Sequence, residues 1–212
     1  MKMNLKNKSI RKIKISRIKL TSKNLFIFLI SFSIIALIVG MLFYYFLNNG
    51  DKDLAHNNVT NIFRLKESYD YLNLLKTSLL QNTFSTFLIW ILGISVIGVI
   101  ASIFIYFCEV FSIGFTIASI FGEYGIKGIL ASFCYLVPSK ICYLVIVFLL
   151  TFFAIKISYK IIRLCFTNED IKIKEEIRKY FKVLLFSFIA MIAISLMEVF
   201  IDPFLIKLFT SI

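Results

Sequence analysis

The sequence is poor in the residues that build soluble active sites. It has one histidine, two prolines and twelve acidic residues in a chain of 212, and it contains no phosphate-binding glycine loop, no HExxH and no GxSxG motif. The four cysteines show no CxxC spacing and lie in or beside apolar runs, as small hydrophobic residues do. We therefore predict no catalytic residue, no metal ligand and no cofactor.

The single histidine, His56, lies in the segment DKDLAHNN near Asp51 and Asp53. Two carboxylates and one imidazole can bind a metal ion, but a stable site needs a fourth ligand, which this segment does not fix. We therefore interpret His56 as a solvated loop residue.

Apolar residues are what the chain has in excess. They make up 59% of it, with 24 phenylalanines, only 17% charged residues and a mean hydropathy of +0.88. A soluble domain of this length cannot bury that much apolar surface. The composition indicates a membrane protein with several spans, for which the bilayer is the solvent.

The first 24 residues carry nine Lys and Arg and no acidic residue. Such a run can bind nucleic acid, but here it directly precedes an apolar stretch, which favours a cytoplasmic anchor under the positive-inside rule. A cleaved signal peptide is disfavoured, because the apolar stretch at 25–47 is too long for one. No nucleic-acid partner is predicted.

Charge separates the later polar segments into two kinds. The segment 48–83 has four basic and four acidic residues, which is typical outside the cell, whereas 156–182 has eight basic and four acidic residues, which is typical inside. An odd number of spans must lie between them, so the apolar part of 108–126 has to cross as a short or tilted helix. We predict an all-α bundle of five spans, with the amino terminus in the cytoplasm and the carboxyl terminus outside. The predicted parts are a basic tail over 1–24, spans over 25–47, 84–107, 108–126, 129–157 and 183–201, an external loop over 48–83, a cytoplasmic loop over 158–182 and an external tail over 202–212.

The external loop contains an amphipathic pattern. Apolar residues recur at spacings of three and four from residue 62 to residue 79, which predicts one face of a helix. Such a helix can lie on the lipid surface or the bundle, or it can dock a partner, and the sequence favours neither. The candidate docking residues are Leu65, Tyr69, Leu72 and Leu79 in this helix, with Glu123 and Tyr124 in the predicted GEYGIKG turn.

Small residues and a proline indicate where the spans pack and bend. Gly98 with Ser102 and Gly114 with Ala118 are pairs four residues apart, which let helix backbones approach closely in lipid. Pro138 removes a backbone donor and predicts a break in the fourth span.

Lys140 follows that break and is a charge within an apolar run. An intramembrane charge is a functional candidate, although a lysine near the end of a span can also extend to the headgroups. At 1.5 Å per residue, Lys140 and Glu198 fall at similar depth in the outer half of the membrane. We predict a structural ion pair between them, with Asp202 as the competing partner. Glu109 is excluded, because the predicted spans place it at the inner boundary.

Four segments resemble the stage II sporulation protein M family in order and spacing, and the resemblance covers about residues 83–207. They are WILGISVIG at 90–98, FSIGFT at 111–116, GIKGILASF at 125–133 followed by Pro138, and MEVFIDPFLIK at 197–207.

The resemblance implies a non-enzymatic membrane component of the peptidoglycan-remodelling machine of endospore-forming bacteria. It implies a scaffold in the mother-cell membrane at the sporulation septum, where it localises the wall hydrolases, stage II sporulation proteins D and P, during engulfment. Two other classes stay open. One is a permease subunit of an ATP-driven exporter or flippase, whose basic loop engages a cytoplasmic ATPase, and the other is a membrane enzyme.

Overall fold

Every regular element of the described chain is an α-helix. The computed structural model describes residues 21–64, 71–136, 139–166 and 173–210, and no strand occurs among them. The helices are α1 (Ser22–Phe46), α2 (Asn49–Arg64), α3 (Tyr71–Ile94), α4 (Gly98–Tyr124), α5 (Lys127–Leu136), α6 (Lys140–Phe166) and α7 (Ile173–Thr210). Five of them, α1, α3, α4, α6 and α7, are long and apolar enough to cross a membrane. The prediction of an all-α protein with five spans is confirmed.

The five long helices form a bundle with alternating directions. Helices α1 and α4 run parallel, because Phe32 packs against Phe107 and, further along both helices, Phe43 packs against Phe115. Helices α3 and α6 run in the opposite direction, and α7 returns in the direction of α1. One end of the bundle therefore holds α2, α5 and the starts of α3 and α6, and we call it the α2 end. The other end holds the start of α1, the turn at 95–97 and the start of α7, and we call it the basic end.

The interior of the bundle is a packed apolar layer. Its most buried large side chains come from four helices and are each 0% exposed: Leu29, Ile89, Val147, Leu150 and Met191. Many large apolar side chains on the outside of the same helices are exposed. This is the arrangement expected of helices whose outer faces contact lipid.

Helices α1 and α4 touch through their backbones. A Cβ atom on Gly40 would lie 2.2 Å from the Phe111 carbonyl oxygen, and one on Gly114 would lie 2.3 Å from the Leu37 carbonyl oxygen. Only glycine allows this approach, which is how small residues join helices in lipid. The buried face of α4 repeats every four residues through Gly98, Ser102, Tyr106, Val110, Gly114 and Ala118. Both small-residue pairs noted in the sequence therefore lie on one face of a single helix.

The boundary between the second and third spans differs from the predicted one. Helix α3 ends at Ile94 and α4 begins at Gly98, whereas the apolar pattern places this boundary between residues 107 and 108. The pattern cannot locate the turn, because the apolar run is continuous through it. The close approach at the turn requires glycine, since a Cβ on Gly98 would lie 2.3 Å from the Leu92 carbonyl oxygen. Helix α3 accordingly includes 71–83, which the sequence pattern assigns to the external loop.

The predicted fourth span over 129–157 is divided between two helices. Helix α5 has ten residues, too few to cross the hydrocarbon, and α6 begins at Lys140. Pro138 lies outside the described residues. The predicted GEYGIKG turn is also shorter than expected, because α4 continues to Tyr124 and ends at Gly125, whose φ of 56° favours glycine.

We expect the α2 end to face outside the cell, because basic residues concentrate at the other end. In a cysteine-free variant, Asn58→Cys and Gly125→Cys should react with a membrane-impermeant maleimide in intact cells. Lys174→Cys should react only after permeabilisation. Labelling of Lys174→Cys in intact cells would contradict this orientation.

Candidate functional site

A cluster of polar side chains lies between α3, α6 and α7 near the α2 end. Its centre is Glu198 on α7. The Lys140 ammonium donates to Oε1 of Glu198 at 2.5 Å, and the Ser78 hydroxyl donates to Oε2 at 2.5 Å. The Asn82 amide donates to the same Oε2 at 3.3 Å and to the Ser195 hydroxyl at 3.1 Å. One carboxylate is thus held by a cation and two neutral donors from two neighbouring helices.

Helical spacing brings these groups together. Ser78 and Asn82 are four residues apart on α3, and Ser195 and Glu198 are three apart on α7, so the members of each pair share a helix face. The side chains of Lys140 and Glu198 are 26% and 22% exposed. A shielded ion pair is stable only when its remaining hydrogen-bonding groups are also satisfied, and Ser78 and Asn82 do this for Glu198.

Asp202 lies one turn beyond Glu198 on α7 and is 4% exposed. Its Oδ2 accepts a hydrogen bond from the buried hydroxyl of Ser139, directly before α6. The sequence suggests Asp202 as a competitor for Lys140. In the structure, Lys140 contacts Glu198 and Ser139 contacts Asp202, so two carboxylates of α7 engage two successive residues at the start of α6.

Sequence reasoning missed four members of this cluster: Ser78, Asn82, Ser139 and Ser195. The first two fall in the segment that the pattern assigns to the external loop. The signal that could have identified them is their spacing of four residues, which continues through Thr86 along the buried face of α3.

Glu109 lies in the middle of α4 and not at the inner boundary. It is about 17 Å along the axis from the start of the helix, because α4 begins at Gly98. Its neighbour on α6 is Tyr143, whose hydroxyl interacts with Glu109 and Ser85. The predicted position of Glu109 is wrong because it assumes a span that starts at residue 108.

Helix α2 caps the α2 end of the bundle. Ala55 and Val59 are 9% and 5% exposed. Between them, His56 links two spans, because its Nε2 lies 2.8 Å from the Tyr44 hydroxyl of α1 and its Nδ1 contacts the Glu123 carboxylate of α4. The interpretation of His56 as a solvated loop residue is wrong, since its side chain is 23% exposed and lies in a helix. The apolar pattern misses α2 because the buried apolar side chains that the structure describes in it are Ala55 and Val59, which are too few to produce a helical period.

The docking candidates in the external segment have different environments. Leu65 and Tyr69 lie outside the described residues. Leu72, near the start of α3, is 78% exposed, whereas Leu79 is half-buried. Of the two docking candidates that the structure describes in this segment, Leu72 is therefore the one that a partner could reach more easily.

The two other docking candidates hold α2 in place. Glu123 contacts His56, and Tyr124 packs against a small core to which Val59 belongs. The accessible surface at this point belongs to α2 itself. We call its exposed side chains Asp53, Leu54 and Asn57 the outward face of α2.

Replacing His56 with leucine should loosen α2 from the bundle. The change leaves the buried Tyr44 hydroxyl without this imidazole, at a cost of about 1–3 kcal/mol for a buried polar group that loses its partner, and it also removes the contact with the more exposed Glu123 carboxylate. Hydrogen exchange of the α2 amides should accelerate by roughly tenfold or more, while the amides in the middle of α4 stay protected. Asn58→Leu, on an exposed position of the same helix, is the matched control. Unchanged exchange in His56→Leu would contradict the role of this contact.

Among the residues that the structure describes, no three His, Cys, Asp or Glu side chains come together in a way that could hold a metal ion. The polar cluster and the His56 contacts are side-chain interactions between helices.

The family model described as stage II sporulation protein M matches residues 25–203. This range is more than half of the chain and extends from α1 to Pro203 in α7. No curated protein and no solved structure matches the chain.

Proposed function

The chain belongs to the stage II sporulation protein M family, and on this basis we propose that it is a scaffold that recruits peptidoglycan hydrolases to the sporulation septum during engulfment. Its family and its five apolar helices make it a multi-pass membrane protein related to sporulation. The proposed location is the mother-cell membrane, and the proposed partners are stage II sporulation proteins D and P.

The outward face of α2 is the observation that supports recruitment. Asp53, Leu54 and Asn57 offer a carboxylate, an aliphatic group that is 63% exposed, and an amide. Because Ala55 and His56 anchor the opposite face of α2 to the bundle, a bound partner would be held close to the membrane. An anchored surface of this kind also loses less conformational freedom on binding than a loop does.

Charge supports an external position for this face. The segment that contains α2 has balanced charges, and the segment around the start of α7 has a basic excess. Under the positive-inside rule, this distribution favours α2 outside the cytoplasm. A scaffold for wall hydrolases needs its docking surface on that side, because their substrate lies there.

The test is affinity purification from sporulating cells. The wild-type protein should co-purify the two hydrolases, and Asp53→Lys combined with Leu54→Ser should lose them and stall engulfment. The matched control is Glu175→Lys combined with Ile177→Ser, which changes an exposed acid and an exposed aliphatic residue at the basic end. Full recruitment by the α2 variant, at equal protein level, would contradict α2 as the dock.

Deletion of the gene tests the wider proposal. Vegetative growth should be unaffected, and sporulation should stop at the septum with the hydrolases mislocalised. Normal engulfment in the deletion strain would rule out the scaffold. Purification of a nucleotide-binding subunit in place of hydrolases would favour the permease alternative.

A further inference from the structure

The side of α7 that faces away from the bundle carries one continuous line of side chains. At 3.6 residues per turn, three basic residues at the start of the helix fall on the same face as the apolar residues that follow. We call this line the α7 stripe, and it consists of Lys174, Arg178, Lys182, Leu185, Ile189, Ile192 and Leu196.

The apolar part of the stripe is exposed along about three turns. Leu185 is 50% exposed, Ile189 is 70% exposed and Ile192 is 51% exposed. The opposite face of α7 is buried in the bundle, where Met191 is 0% exposed. In a membrane, the apolar part of the stripe therefore contacts acyl chains.

The basic part of the stripe stands apart from the ion pairs that the structure describes at the basic end. Lys174, Arg178 and Lys182 are exposed, and within the described ranges no carboxylate lies at ion-pair distance from any of them. Two other lysines at the basic end do have a carboxylate partner. Lys160 and Lys179 both contact Glu176, at 2.5 Å and 3.1 Å.

We propose that the α7 stripe is a binding site for an anionic phospholipid. The lipid phosphate would contact Arg178 and Lys182, and its acyl chains would lie along Leu185 and Ile189 in the next turns. Guanidinium and ammonium groups recognise phosphate through charge-assisted hydrogen bonds, and cations at a membrane boundary attract anionic headgroups. The continuity of the two parts favours a lipid over a soluble phosphate, because a soluble anion would use only the basic part.

The chain contains its own reporter for this site. Trp90, its single tryptophan, lies at the level of the basic part, with its ring 5.9 Å from the Tyr180 ring and 6.2 Å from the Phe181 ring. Phe181 is 48% exposed, one residue before Lys182. A lipid bound at the stripe would therefore bring the headgroup end of its acyl chains close to the indole.

The experiment uses the full chain in nanodiscs of phosphatidylcholine with a minor fraction of brominated lipid, which quenches tryptophan fluorescence on contact. Brominated phosphatidylglycerol should quench Trp90 more than brominated phosphatidylcholine does at equal fraction. One Lys or Arg side chain near anionic headgroups contributes about 1 kcal/mol, or roughly fivefold in affinity. We therefore expect a preference of about fivefold or more for the anionic lipid. The preference should weaken as salt screens the charges.

The triple variant Lys174→Gln, Arg178→Gln, Lys182→Gln should quench equally with both lipids. The control is Lys52→Gln, Lys76→Gln, Lys127→Gln, which removes the same charge from the α2 end and should keep the preference. Equal quenching by the two lipids in the wild-type protein would overturn the proposal. So would a preference that survives the stripe variant and disappears only when the basic residues of 1–20 are neutralised. Loss of the preference on adding soluble phosphate, but not on adding chloride to the same ionic strength, would show that a soluble anion occupies the basic part and would also overturn it.

Discussion

Lys140→Glu should strongly reduce the amount of folded protein in the membrane. The change replaces the cation of the polar cluster with a second carboxylate beside Glu198, which Ser78 and Asn82 cannot neutralise. Removing one partner of a buried ion pair costs about 3–5 kcal/mol, a large fraction of the roughly 5–15 kcal/mol that stabilises a typical domain. The amount of protein in the membrane fraction and its melting temperature in detergent measure the effect.

The charge swap distinguishes the pair from a general intolerance of mutation. Lys140→Glu combined with Glu198→Lys should recover much of the loss, because the opposite charges are again adjacent. Recovery should be incomplete, because Ser78 and Asn82 donate to the wild-type carboxylate and would have to turn their oxygens towards an ammonium. Lys76→Glu, an exposed position on α3, is the control and should have little effect. A double variant with a loss equal to the sum of both single losses would show that the two charges do not interact.

Gly114→Leu should separate α1 from α4 and lower the melting temperature. The new Cβ would start 2.3 Å from the Leu37 carbonyl oxygen, and because that atom belongs to the backbone it cannot rotate away. Overpacking typically costs about 1–3 kcal/mol, and occasionally more. A cost at the upper end corresponds to a decrease of roughly 6–12 °C for a chain of this length.

Gly50→Leu is the matched control for this prediction, because nothing lies within 4 Å of a Cβ at that position. It should melt close to the wild type, although Gly50 is also in a helix. A Gly114→Leu variant that melts like Gly50→Leu would contradict the backbone contact between α1 and α4.

Composition and charge were sufficient to predict the number of spans, because the need of each span for about 20 apolar residues is a property of the chain itself. The turn at Ser95 could not be predicted, because hydropathy is uniform through it and the turn depends on how Gly98 meets Leu92 in three dimensions. Because the predicted third span starts at residue 108, it placed Glu109 at the end of a helix, whereas Glu109 lies in the middle of α4. An error of ten residues in the start of this span thus became an error of about 15 Å in depth.

The sequence likewise predicts some contacts of the polar residues and misses others. Depth counting singled out Lys140 and Glu198, because axial rise depends only on sequence separation. Asn82 and Ser139 could not be found by depth alone, since their roles depend on which helices are neighbours. His56 was misjudged for a related reason: the residues that bind it, Tyr44 and Glu123, are distant in sequence and meet only in the folded bundle.

Helix α7 has 38 residues and is about 57 Å long, well beyond the roughly 30 Å of hydrocarbon. It is fixed at two levels, by the Tyr180 hydroxyl that donates to the Trp90 carbonyl at 3.0 Å and by the pair of Glu198 with Lys140. A slide of one residue, about 1.5 Å, would strain both contacts together. Helix α7 therefore resists sliding along its own axis. A pull on the carboxyl-terminal end of α7 is transferred to α3 and α6, and any bending falls at Pro203, beyond the contact of Glu198 with Lys140, where the helix lacks a backbone donor.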